Sequence, residues 1–492
     1  MTRYSEFRQA TRRHAPSELI PAVAAAAALQ VYEKDVAKWA KGVPPWAYAA
    51  MARDCLLYSD EHRYKKVDDQ AIIWMRNILN DVYEPDERLV ADIFAMISGY
   101  VYEQSFYQKD EMQEMARSYL LYTQTEVPEQ YRIPSGPDWE EHLGLPLRLA
   151  ITASFMLCAW AASNHGRVDP KFPNSAAYEP LEGLVSGADM NRVLDLLTTT
   201  VPVAKARAKE VRQLPNSLQR YAFNPLVERP FVAFDDGVRY APQPKFVLRA
   251  FSTENLYYRG VKRWGNAFGQ AFGARLEAYT GMQLQHTGKH QVLPEFEWRK
   301  NRTGKMRSSD WFLITPAATI LIECKSARMS LDAKAGTGAA DELLDRYVSH
   351  AYDQLGKNAA QIREGNPAFA HVPSDRPLLG LVVTAEPMFG ANHVELRERF
   401  GTNELPVLTA SLEDIELIAS LDPQTVGDAL MKIANDPELA TWSVRQSVTE
   451  ILGRESLPAN QLIHETFDVL TPLETFRTKH APGASFGVFP TF

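Results

Sequence analysis

Cysteine is scarce in this sequence: Cys55, Cys158 and Cys324 are the only three in 492 residues, odd in number and far apart. That excludes a disulfide framework and a cysteine-ligated zinc site, and it fits a reducing cytoplasm. Long apolar runs are missing too. The longest, "IPAVAAAAALQV", is too short and too rich in alanine to span a bilayer, so no membrane partner is expected. The start, "MTRYSEFRQATRRHAPSE", is polar and basic with no apolar segment behind it, unlike a secretory signal. An excess of positive charge is absent: 53 Lys and Arg face 61 Asp and Glu, a net charge of −8. Global charge therefore gives no reason for non-specific nucleic-acid binding, and any such contact has to be local. Several chemistries lack their motifs. No Walker phosphate-binding loop and no G-x-S-x-G elbow occurs. The histidines of "NHG" and "HTGKH" have no third ligand at matching spacing.

What is present is ordinary globular composition, 45% hydrophobic and 23% charged, in a chain long enough for two or three domains. Residues 1–215 read as an all-α domain with a recognition, partner-binding or regulatory role. Stretches such as "DQAIIWMRNILNDVY" and "DMNRVLDLLTTTVPVAKARAKEVRQL" carry apolar residues at three-to-four spacing, separated by proline-containing breaks. Residues 216–260 read as a connector with a β-hairpin turning at "DDG". From 261 to 420 the order is helix, strands, helix, strand, strand, helix, which predicts an α/β domain with a mixed central sheet. "HQVLPEFEW", "SDWFLIT", "ATILIECKS", "PLLGLVVTAEP" and "LPVLTAS" are its strands, and Ser411 caps its last helix. Three aromatic-glycine pairs, Trp264-Gly265, Phe268-Gly269 and Phe272-Gly273, predict a first helix packed closely on another layer. Residues 421–492 read as a mainly helical extension whose end, "APGASFGVFPTF", is a docking strand or a frayed terminus.

The run "ILIECKSAR" places a glutamate and a lysine in an otherwise buried strand. Strand alternation turns Ile320, Ile322 and Cys324 to one face and Leu321, Glu323 and Lys325 to the other. Unpaired charges on a buried sheet are costly, so the pair needs a metal, a phosphate or another charge. Asp310, thirteen residues upstream at the head of "DWFLIT", comes near Glu323 if the two runs pair antiparallel across "TPAA". Two carboxylates beside a lysine suit phosphodiester hydrolysis with Mg²⁺ or Mn²⁺. The hard cation takes oxygen ligands and polarises the phosphate, while the lysine orients water or offsets transition-state charge. Two other Asp/Glu-x-Lys triplets, Asp169-Pro170-Lys171 and Asp332-Ala333-Lys334, lie in loops that cannot hold charges on a rigid sheet.

Asp310, twelve intervening residues, then Glu323-Cys324-Lys325 resembles the signature of the PD-(D/E)XK nuclease superfamily, over about residues 260–420. Ser309 stands where many relatives have proline. The resemblance implies a restriction-endonuclease-like domain behind the helical one, and a Mg²⁺-dependent DNA endonuclease with a role in restriction or phage defence. It implies metal binding by Asp310, Glu323 and the Cys324 backbone carbonyl, with Lys325 positioning the attacking water. Glu277, on the helix before the sheet, is the implied further carboxylate. Gln354, with Gln361 as its rival, is the polar residue implied on the helix after the signature. The turn "WRKNRTGKMRSSD" offers Arg299, Lys300, Arg302, Lys305 and Arg307 to backbone phosphates, and Lys262, Arg263 and Arg328 extend that patch. A degenerate nuclease-like scaffold and an RNA nuclease are the alternatives. A protein partner or trigger would dock on the helical region, and many such nucleases work as homodimers.

Overall fold

Apolar spacing in the N-terminal half yields helices at Pro16–Tyr32, Pro45–Tyr58, Asp69–Asn80 and Leu147–Ser163. The structure is a computed structural model that describes residues 3–32, 42–82, 93–129, 138–211, 213–214, 216–299, 304–335, 339–400 and 405–471. Asp68 starts the third of these helices, its side chain accepting from the Ala71 amide. The described residues form two units: one within 1–119, 137–263 and 466–492, the other within 120–136 and 264–465. The units interleave along the chain, whereas the periodicities divide it linearly.

The first unit is not all helical. Strands β1 (Arg167–Val168), β2 (Thr198–Thr199), β3 (Phe231–Ala233) and β4 (Arg239–Tyr240) form a sheet in the order β1-β4-β3-β2. The β3–β4 pair is the expected hairpin, with Gly237 at φ +77° in its turn. It is built into this unit rather than serving as a connector. The stretch expected to run as one helix from "DMNRVL" onward breaks into Gly187–Leu196, β2 and Val201–Glu210. Three β-branched threonines and Pro202 explain the break. Proline disfavours a helical conformation at the residue before it and is tolerated in the first turn of the helix that follows. Within the core, Arg53 and Asp54 form a buried ion pair, and Arg53 also donates to the carbonyls of Gln219, Arg220 and Ala222. Burying a guanidinium is tolerable only with such full hydrogen bonding.

The second unit holds the signature. Strands β5 (Gln291–Pro294), β8 (Trp311–Ile314), β9 (Thr319–Lys325), β10 (Leu378–Thr384) and β11 (Val407–Ser411) form a mixed sheet in the order β11-β10-β9-β8-β5. β9, β10 and β11 run parallel, and β8 pairs antiparallel with both β9 and β5. Every residue of β10, "LLGLVVT", is buried, as an apolar central parallel strand requires. Ser411 caps helix Leu412–Ser420 by accepting from the Asp414 amide. The expected strand "HQVLPEFEW" divides after Pro294. Its second half becomes β6 (Glu297–Arg299), which pairs with β7 (Lys305–Arg307) in a separate ribbon. Phe296 and Trp298 anchor that ribbon on Phe369, with ring centroids 5.0 and 5.6 Å apart.

Helix Asn266–His286 covers one face of the sheet and helix His350–Arg363 the other. Cys324 Sγ meets Thr280 Oγ1 of the first at 3.5 Å, and Lys325 Nζ meets Gln354 Oε1 of the second at 2.6 Å. The predicted close packing of the first helix occurs, though not along its aromatic-glycine stripe. Gly265, at φ +67°, ends the preceding helix, and an added Cβ would meet nothing there. Gly281 makes the close approach: a Cβ on it would sit 2.1 Å from the Trp311 ring. Among the described residues no helix is long and apolar enough to cross a membrane.

Candidate active site

The β8–β9 ladder pairs Trp311 with Ile322, so the next step along it sets Asp310 opposite Glu323. This is the antiparallel register the sequence suggested. Asp310 Oδ2 accepts a 2.6 Å hydrogen bond from the Cys324 amide, which fixes the aspartate to the strand that carries the other two signature residues. Lys325 Nζ donates to Glu323 Oε1 at 2.7 Å and to Gln354 Oε1 at 2.6 Å. Gln354 is therefore in the constellation. Gln361 is not: it hydrogen-bonds to Glu364 and Asn366.

Burial dominates the electrostatics. Glu323 is 3% exposed, and its Oε2 is buried with no hydrogen-bond partner. Burial raises its proton affinity, opposed by the Lys325 ammonium. Burial and then the Glu323 charge push Asp310 up to about 7. Burial and then Asp310 do the same to Glu277, up to about 7. Glu277 thus feels the signature carboxylates from its helix, whose turn is fastened to β8 by a 2.9 Å bond from Trp311 Nε1 to the Glu277 carbonyl. The Cys324 thiol is raised well above its ordinary value by burial, which leaves it protonated and without a nucleophile's role.

Two residues here escaped the sequence reading. Pro294 pairs with Trp311 as the last rung of β5–β8, so Glu295 follows that rung on the side of Asp310. Glu295, Asp310 and Glu323 thus lie at the same end of three adjacent strands, close enough that Glu323 and Glu295 both raise the proton affinity of Asp310. Beyond them Phe296 pairs with Ser308, whose amide donates to the Phe296 carbonyl at 3.0 Å. Ser309 is consequently an extra residue, a bulge just before Asp310. The second residue is Asn358, one helical turn after Gln354, which donates from Nδ2 to Ser309 Oγ at 3.3 Å. One helix face thereby holds both Lys325 and the bulge that aims Asp310.

The basic ribbon is less cationic than its five basic residues suggest. Lys305 pairs with Glu297 at 3.0 Å and Arg307 with Glu295 at 3.3 Å, while Arg299 lies at the exposed end of β6. Lys300 and Arg302 lie outside the described residues. Arg328 is buried with its guanidinium 4.7 Å from the Phe272 ring, and Arg263 pairs with Glu141 at 3.2 Å in the first unit. Burial keeps Arg328 from extending the ribbon.

Among the described residues no three His, Cys, Asp or Glu side chains converge as a metal-holding group. A cation held here would have two carboxylates and a carbonyl as protein ligands, with water completing the shell. That is how Mg²⁺, which gives up its waters reluctantly, is commonly bound. The all-oxygen donor set and the orphaned Glu323 Oε2 fit such an ion. Searches against family models, curated proteins and solved structures find no match to the chain.

Proposed function

We propose that this chain is a divalent-cation-dependent nuclease that hydrolyses phosphodiester bonds in DNA. The observation that carries the reading is the joining of Asp310, Glu323 and Lys325 at the ends of paired strands. The Cys324 amide ties Asp310 in place and Gln354 ties Lys325. Asp310, Glu323 and the Cys324 carbonyl would hold Mg²⁺ or Mn²⁺, which when bound supplies charge to polarise the phosphate and acidify water. Lys325 orients the attacking water and offsets charge on the phosphate, and Gln354 fixes the direction of its ammonium. Glu277 adds a proton-accepting carboxylate at the edge of the site. Arg299 and Arg307 would receive backbone phosphates from the ribbon. A role in restriction or phage defence follows only from fold-level analogy.

Purified protein incubated with plasmid DNA, and separately with RNA, in Mg²⁺ or Mn²⁺ tests the reading. Nicks or breaks in DNA are expected, and Asp310→Ala and Lys325→Ala should abolish them. Gln354→Ala should lower the rate by about 10- to 100-fold while leaving the fold intact, the usual effect of removing an orienting partner. DNA cleavage that survives both alanine substitutions would remove the site assignment, and cleavage of RNA alone would reassign the substrate.

A further inference from the structure

Two basic segments far apart in the sequence meet on the first unit, around an exposed tryptophan. Arg12 and Arg13 follow helix Tyr4–Thr11, and Lys65 and Lys66 lie in the stretch between helices Pro45–Tyr58 and Asp69–Asn80. Trp74 of the last helix joins them: the Arg13 guanidinium lies 5.0 Å and the Lys65 ammonium 5.8 Å from its ring centroid. We infer that this surface binds single-stranded DNA, with Tyr64 stacking on a base and Arg12, Arg13, Lys65 and Lys66 receiving phosphates. The chain then has a strand-holding site on the unit that does not carry the signature. That site rests on the nuclease reading only for the choice of DNA over RNA.

The two segments are fastened together from beneath. His14, fully buried, donates from Nδ1 to the Lys65 carbonyl at 2.8 Å, and its own carbonyl accepts from the Ser59 hydroxyl at 2.6 Å. The loop that carries Tyr64 to Lys66 is therefore placed before any partner arrives, and less freedom is lost on binding. Its cations are available. Among the described residues no carboxylate pairs with Arg12, Arg13, Lys65 or Lys66, all of which are exposed. Acids close by in the sequence are engaged elsewhere: Asp60 pairs with Arg63 at 3.2 Å, Glu61 accepts from the Ser17 amide and hydroxyl, and Asp68 accepts from the Ala71 amide. Glu18 and Asp69 lie in the first turns of their helices, where the helix dipole favours them.

Aromatic exposure selects the partner. Tyr64 is 96% exposed and Trp74 38%. A lone exposed ring is ordinary, but here two rings lie among four cations without acidic partners. Trp74 steadies Arg13 and Lys65 by cation–π contact, and Tyr64 leaves its ring bare. An unpaired strand offers what this arrangement lacks, a run of phosphates and a flat π-face on every base. A duplex offers the phosphates, but its base faces are stacked on one another. An acidic peptide offers no such faces. A membrane surface calls for an apolar helix face, whereas Gln70 and Asn77, one turn to either side of Trp74, are polar and exposed.

Fluorescence anisotropy of a short labelled oligo-dT, and of a duplex of equal length, titrated with the full chain in EDTA tests this without cleavage. Tyr64→Ala should weaken oligo-dT binding by about 5- to 150-fold, the usual loss for a base-stacking ring, and leave duplex binding unchanged. Arg12→Ala combined with Lys66→Ala should make the slope of log K against log[salt] for oligo-dT shallower by about 1.4, at about 0.7 per phosphate on a single strand. All three side chains are exposed, so both variants keep the fold. Oligo-dT affinity that Tyr64→Ala leaves unchanged would overturn the inference. So would tighter binding of oligo-rU than of oligo-dT, or a Tyr64-dependent hold on phosphatidylserine vesicles without one on oligo-dT. Tyr64-dependent binding by a chain that cuts no DNA in Mg²⁺ or Mn²⁺ removes the nuclease reading and leaves the strand-holding site standing. Cleavage with binding indifferent to Tyr64 does the reverse.

Discussion

Asp310 shows how alternation and spacing reach a site before any contact is known. Its distance from Glu323 predicts an antiparallel partner across a short turn, and the observed register sets the two opposite each other. Lys325 follows from the same alternation, and Gln354 from the resemblance. Glu295 was not legible, because its meaning lies in a register with a strand 15 residues on. In "LPEFEW" it reads as one more polar strand residue. A consequence concerns pH. Asp310 has a proton affinity raised in the folded chain, up to about 7, against about 3.9 in an unfolded one. Between those values the folded state keeps a proton that the unfolded state has lost, so Asp310 removes stability as pH rises from about 4 to about 7. Asp310→Asn should therefore melt higher than wild type in cation-free buffer at pH 8, by about 2–4 °C for each kcal/mol of relieved repulsion. The difference should vanish at pH 4. Equal melting temperatures at pH 8 would count against a raised proton affinity at Asp310. Divalent cations should also bind more tightly as pH rises through about 7, since they compete with those protons.

At the scale of elements, the strands and their order were legible because apolar runs and turn residues punctuate them. The Ser411 cap was legible from a serine followed by acids in the first turn. Two boundaries were not. Helical periodicity ran straight through Thr198–Thr200, whose β-branching and following proline favour extended backbone, and the expected strand "HQVLPEFEW" ran straight through Pro294, which ends β5. The aromatic-glycine stripe pointed correctly to close helix packing and named the wrong glycine. Gly281 lies against the Trp311 ring, and that contact sets the height of the Glu277 turn over β8. Gly281→Ala should cost about 1–3 kcal/mol by overpacking, measurable in denaturant unfolding. It should also lower cation affinity by displacing Glu277. A substitution without effect on stability would mean that the ring yields freely, and the tight helix–sheet approach would lose its importance.

For the molecule as a whole, composition bounded the answer without locating it. A net charge of −8 gave no reason to expect a broad basic surface, and the ribbon's described cations, Arg299, Lys305 and Arg307, are partly balanced by Glu295 and Glu297. Non-specific affinity for duplex DNA should then depend only moderately on salt. At about 0.9 per neutralised phosphate, three contacts give a slope of log K against log[salt] of about −3 or shallower. A slope near −8 would require duplex contacts elsewhere on the chain. The interleaving of the two units was beyond local reading, since it depends on residues after 465 returning to the first unit. Thr152, whose hydroxyl donates to the Leu470 carbonyl at 2.7 Å, is one such contact over 318 residues. The most direct measurement is anomalous diffraction from crystals soaked in Mn²⁺. The account predicts a peak bonded to carboxylate oxygens of both Asp310 and Glu323 at about 2.1–2.3 Å. Fully soaked crystals with no peak there, or with manganese bound away from both residues, would contradict it.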